Sequence, residues 1–162
     1  QPFNMSMEVP APKPGLTIRT AYGDLYDVTD LQQVASWEVG TVSSLEEIMH
    51  GKEKITSPEV LERRVVEATG YVLIPEDVYE FSTENNEFWI DNVKLIDNVG
   101  EVKKFSRRNS SRALQKGYHP IKTIWVGAIQ GGWPTYWNYS RVMIRLKGEE
   151  KFKPISSDML FQ

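Results

Sequence analysis

An all-β fold, an antiparallel sandwich of jelly-roll type with one short helix, is what this sequence predicts, and three observations carry the prediction. Tyr79/Phe81 and Phe88/Ile90 sit two residues apart, the period that puts side chains on one face of a strand. Polar turn chemistry, Glu84-Asn85-Asn86-Glu87, separates the two pairs, so Tyr79–Asn92 reads as a hairpin. Runs rich in β-branched and aromatic residues recur along the chain, each stopped by glycine, proline or asparagine, as in sandwiches.

In chain order, residues 1–15 read as a linker, because the alternating prolines of Val9–Gly15 make a stiff extended spacer. The folded module is expected over residues 16–162. Leu16–Tyr22 alternates like a strand ending at Gly23-Asp24, and Asp30–Val42 reads as irregular with strand pieces. Ser43–Gly51 carries a Ser-x-x-Glu cap and a closing glycine, the pattern of a short helix, and Ser57-Pro58-Glu59 resembles another helix start. Arg63–Ile74 is β-branched and stopped by Pro75, which predicts a strand. After the hairpin and the third apolar run Val93–Asn98 come a charged loop at Glu101–Arg112, a turn at Ala113–Pro120, a strand at Ile121–Ile129, a loop at Gln130–Thr135 and a last long strand at Tyr136–Leu146.

Composition narrows the function. The chain has 162 residues, 40% of them apolar and 25% charged, enough for one folded unit with a real core. A net charge of −3, with no long basic run, gives nucleic acid little to bind. Without cysteine there are no disulfides, thiolate metal sites or cysteine nucleophiles, and no apolar stretch is long enough to span a membrane. The start at Gln1, with no leader, and the prolines that follow are expected of an excised piece of a longer protein.

The strongest binding signal is Trp133, Tyr136, Trp137 and Tyr139 beside Gly131-Gly132 and Pro134, since aromatic faces stack on the C–H faces of sugars. The same residues could instead cover the core or dock on a partner domain. Glu84, Asp91 and Asp97 could offer carboxylates near one end of the sandwich, although Asp91-Asn92 also suits a plain turn. Lys103–Arg112 reads as a solvated basic loop able to meet an acidic glycan. His50 and His119 lie too far apart in sequence for a zinc motif, and no catalytic constellation appears.

Thr69–Phe81, Phe88–Asn92 with Leu95–Asn98, Leu114–Ile121 and the tail Phe152–Phe161 together resemble the β-sandwich domain named after the anthrax protective antigen. That module is found attached to bacterial glycosidases and yeast adhesins. The resemblance covers about residues 16–162, and the proline-rich lead-in, this module and a terminus soon after Phe161 together resemble the C-terminal end of a secreted β-N-acetylhexosaminidase or a similar glycosidase. It implies a non-catalytic accessory module, extracellular or periplasmic, whose partners are a glycan containing N-acetylhexosamine or another polysaccharide and the parent catalytic domain. Sugar-binding members of the family hold calcium with two adjacent aspartates in the turn after the Tyr-x-Phe strand. Thr83-Glu84 stands there in this chain, so neither calcium nor another cofactor is expected. Trp133, Tyr136 and Trp137, with Glu84 and Asp91 as polar contacts, are the expected carbohydrate-binding residues. The alternative is a structural module that packs on the parent enzyme and binds no sugar.

Overall fold

Alternation of buried apolar and outward polar residues lays the chain out as eleven strands in a computed structural model that describes residues 13–22, 31–32, 34–43, 64–83, 85–98, 108–126 and 142–162. They are β1 (Leu16–Tyr22), β2 (Glu38–Val42), β3 (Arg64–Ile74), β4 (Asp77–Thr83), β5 (Glu87–Ile90), β6 (Val93–Asp97), β7 (Arg108–Leu114), β8 (Gly117–Val126), β9 (Val142–Leu146), β10 (Lys153–Pro154) and β11 (Leu160–Phe161). A large sheet has the order β2-β1-β3-β8-β5-β6, with β11 also on β3, and a small sheet has the order β10-β9-β4-β7. All the pairings are antiparallel. The fold is therefore the predicted all-β sandwich. Predicted helical segments at Ser43–Gly51 and Ser57–Glu59 lie, apart from Ser43, outside the described residues.

The inner faces interdigitate around Trp125, Phe81, Phe88, Leu16 and Ile90, all fully buried. Tyr79–Asn92 does not form the expected hairpin. β4 belongs to the small sheet and β5 to the large one, so the turn between them crosses from one layer to the other. Both apolar pairs still point inward, from opposite walls, and the Phe81 and Phe88 rings meet with centroids 5.1 Å apart. Such a pair contributes about 1 kcal/mol beyond its buried area. The hairpin is the next one, β5–β6, closed by Asp91-Asn92 with φ of 55° and 62°, the two left-handed positions a type I′ turn requires.

Arg108–Arg112, expected within a charged loop, is the start of edge strand β7, paired with β4 from Thr83↔Arg108 to Asp77↔Leu114. Its polar composition suits an edge. Of the predicted strand Tyr136–Leu146, Val142–Leu146 is β9, while residues 136–141 lie outside the described region.

The long strand β3 shares one edge between two partners from opposite ends of the chain. Its first half pairs with β1, up to Thr17↔Thr69, and its second half pairs with β11, at Tyr71↔Phe161 and Val72↔Leu160. Gly70 sits at the junction. A Cβ there would lie 2.5 Å from both Leu16 Cδ2 and the Phe161 carbonyl oxygen. The two chain ends also bond to each other, Gly15 N–H to the Leu160 carbonyl at 3.0 Å and Gln162 N–H to the Lys13 carbonyl at 2.8 Å. Lys13–Gly15, within the stretch read as linker, is thus bonded into the sheet.

Candidate functional site

The turn from β4 to β5 forms one end of the sandwich. Thr83, Asn85 and Asn86 are fully buried, with Asn98 beside them. Thr83 Oγ1 accepts the Asn85 backbone N–H at 3.0 Å, a local bond that threonine makes readily in turns. Asn98 Nδ2 donates to the carbonyls of Thr83 (2.9 Å) and Asn85 (2.8 Å), and its backbone N–H donates to Asn86. From β8, Thr123 Oγ1 accepts from Asn85 Nδ2 and donates to the Glu87 carbonyl, both at 2.9 Å. The Asn86 N–H reaches the Ile124 carbonyl. Four strand ends are thereby tied together by neutral amides and hydroxyls.

Chain connectivity brings three sequence-predicted segments to this end. Residue 84 lies within the turn. The segment 99–107, with most of the basic run, leaves from Asn98 and re-enters at Arg108, which pairs with Thr83. The segment 127–141, with Trp133, Tyr136 and Trp137, leaves β8 at Val126 and re-enters at Val142, which also pairs with Thr83. Glu84, Trp133, Tyr136 and Trp137 themselves lie outside the described residues; their anchors converge.

Asp91 is placed elsewhere. It stands at the far end of β5, about 16 Å of strand from Asn86, and is only 3% exposed. Its Oδ1 lies 2.8 Å from His119 Nδ1, and Arg112 Nε lies 3.7 Å from its Oδ2. His119 Nε2 meets the Gln115 carbonyl at 2.6 Å. A carbonyl only accepts, so Nε2 carries a hydrogen, and a second on Nδ1 faces the carboxylate. Burial works against a charged ring, but the bonds to Asp91 and to the Gln115 carbonyl, with the Asp91 charge, outweigh it against opposition from Arg112; the His119 pKa is raised above its ordinary 6.5. The Asp91 carboxylate is thus engaged inside the fold, with a histidine considered in the sequence only as a metal ligand. Nothing local signals that pairing, because the partners are 28 residues apart.

Calcium takes six to eight oxygens, several of them charged. Among the described residues at the β4–β5 turn, the Thr83 and Asn85 carbonyls already accept from Asn98, and the Glu87 carboxylate at the start of β5 takes the Trp89 indole N–H. Among the described residues no group of three or more His, Asp or Glu side chains is placed to hold a metal. None of the described helices is long and apolar enough to cross a membrane.

The described residues form a two-sheet antiparallel β-sandwich whose chain crosses between the layers at the β4–β5 turn. The PA14 domain model matches residues 12–151, and the chain belongs to that family. It is 99% identical over 163 residues to a β-hexosaminidase of Porphyromonas gingivalis (strain ATCC BAA-308 / W83), a match that takes in all of this chain and 21% of that protein. Among solved structures it is similar to an anti-sigma factor domain-containing protein, with TM-score 0.66 and 18% identity, covering 95% of this chain and 50% of that one. The A domain of epithelial adhesin 6 from Candida glabrata, solved in complex with Galβ1-3GlcNAc, matches with TM-score 0.60 and 12% identity over 96% of this chain and 90% of that one. At those identities the two structures show a shared fold.

Proposed function

We propose that the chain is a non-catalytic accessory module of a secreted β-hexosaminidase, extracellular or periplasmic, which binds glycan near the catalytic domain. The observation that carries this reading is the near-identity to one fifth of a β-hexosaminidase. The one strongly buried acid salt-bridged to a histidine, Asp91, is structural. The adhesin domain with the same fold holds a GlcNAc-containing disaccharide, which supports a sugar as ligand.

The binding end is the one carrying the β4–β5 turn. The segment bearing Trp133, Tyr136 and Trp137 re-enters the fold at Val142 beside Thr83, and in this reading those aromatics and Glu84 stack on and bond to sugar without calcium. A glycan array run with and without calcium should retain GlcNAc-containing oligosaccharides equally in both, and Trp133→Ala should weaken that retention about tenfold, the loss expected of one stacking aromatic. A blank array under both conditions would leave a structural, sugar-free module.

A further inference from the structure

The outer face of the large sheet carries a groove that the loop-end site does not use. Strand register lines up Thr41, Thr17, Thr69, Lys122, Trp89 and Lys94 side by side across β2, β1, β3, β8, β5 and β6. Six adjacent strands place the two ends of that row about 24 Å apart, the length of a several-ring chain. Along its middle runs a cavity of 440 Å³, within the range of about 300–1,000 Å³ typical of small-molecule sites. Tyr71 and Pro120, paired across β3 and β8, add flat apolar surface, and Asn92 adds an exposed amide.

The charges on this face are unequal. Arg19 is held by both Glu67 oxygens, at 2.8 and 3.1 Å. Lys94 is held by Asp97 at 3.2 Å and Glu87 at 3.6 Å. Lys122 has no carboxylate partner among the described residues; its Nζ lies 4.4 Å from the centre of the Trp89 ring. That ring is itself fixed, its indole N–H donating to Glu87 at 2.7 Å, with Lys94 approaching from the opposite neighbouring strand. No hydrogen bond engages the Thr17 or Thr69 hydroxyl among the described residues.

We propose that this groove is a second glycan site, selective for an acidic oligosaccharide whose anionic group pairs with Lys122 while its hydroxyls bond to Thr17, Thr69 and Asn92. It rests on the accessory carbohydrate-binding role proposed above. A protein occupant fits less well, because lysine and free hydroxyls are depleted at the centres of protein interfaces. Carboxylated and sulfated sugars share the required charge, and the test separates them.

The 162-residue chain is titrated calorimetrically with tetragalacturonate, a sulfated galactan tetramer and chitotetraose at low salt. At least one acidic tetramer should bind, with affinity falling at high salt, and Lys122→Met should weaken it about tenfold or more, the loss expected of one charge-assisted bond. Lys153→Met, an equal charge change on the small sheet, should leave it intact. Thermal melts of both variants confirm folding. Acidic binding that ignores Lys122→Met, or no acidic binding while chitotetraose binds, overturns the sheet-face site and leaves the accessory role standing. No binding of any of the three removes both. Protection of Lys122 from acetylation in the full-length β-hexosaminidase would assign the face to an interdomain contact and likewise overturn the proposal.

Discussion

His119 shows most clearly how one residue can be conspicuous in a sequence and its role still hidden. Between Tyr118 and Pro120 it alternates inward on β8, at 1% exposure, and a lone buried imidazole would be neutral. Asp91, carried to it by the left-handed turn, makes it a cation instead. Its folded pKa lies above its unfolded value, so its contribution is complete below about pH 6.5 and is lost as pH rises through the raised value. Urea denaturation should therefore give a lower midpoint at pH 9 than at pH 6. Asp91→Asn should flatten that dependence and cost about 3 kcal/mol at pH 6, the range for removing one partner of a buried pair. A midpoint independent of pH in the wild-type chain would show that folding leaves the His119 pKa unshifted. Trp133, Tyr136, Trp137 and Glu84 are residue types that suit sugars, and they lie outside the described residues. Asp91 was legible as a turn former, but its buried partner was not.

At the scale of elements, strands with strong local character were readable: Leu16–Tyr22 is β1, and Arg63–Ile74 differs from β3 by one residue. The pairing of strands was not. A spacing of two in Tyr79/Phe81 and Phe88/Ile90 is the same whether the strands lie side by side or face each other across a core. The choice is made by Asn98 and Ile124, which bond the β4–β5 turn from elsewhere in the chain. Edge strand β7 was read as loop because Arg108-Asn109-Ser110-Ser111-Arg112 has the composition of solvent-facing chain. The junction at Gly70 is equally non-local, since only the meeting of β1 and β11 on one edge demands a missing Cβ. Gly70→Ala would push against Leu16 and against the backbone of β11. It should lower stability by about 2 kcal/mol, as overpacked cores do, and should speed amide exchange at Leu160–Gln162 before that of β8. Wild-type exchange at those amides would mean that the junction has room to spare.

For the whole molecule, the sandwich supplies a rigid scaffold with its asparagine-tied loop end in one place and a polar sheet face in another. The ends of the described chain are bonded together beside β3, so a protein continuing from either would meet the module at one spot. The fold class and the family resemblance could be read from residue patterns because strand and turn chemistry is local. The sheet-face row of Thr17, Thr69, Lys122 and Trp89 could not, because it exists only after four strands have come into register. The most direct test compares the full-length Porphyromonas gingivalis β-hexosaminidase with a form lacking this module, on a polymeric GlcNAc-bearing glycan and on a small aryl N-acetylglucosaminide. An accessory glycan-binding module predicts a raised KM on the polymer alone, with unchanged kinetics on the small substrate. Equal kinetics on both, or an equal loss on both, would contradict it.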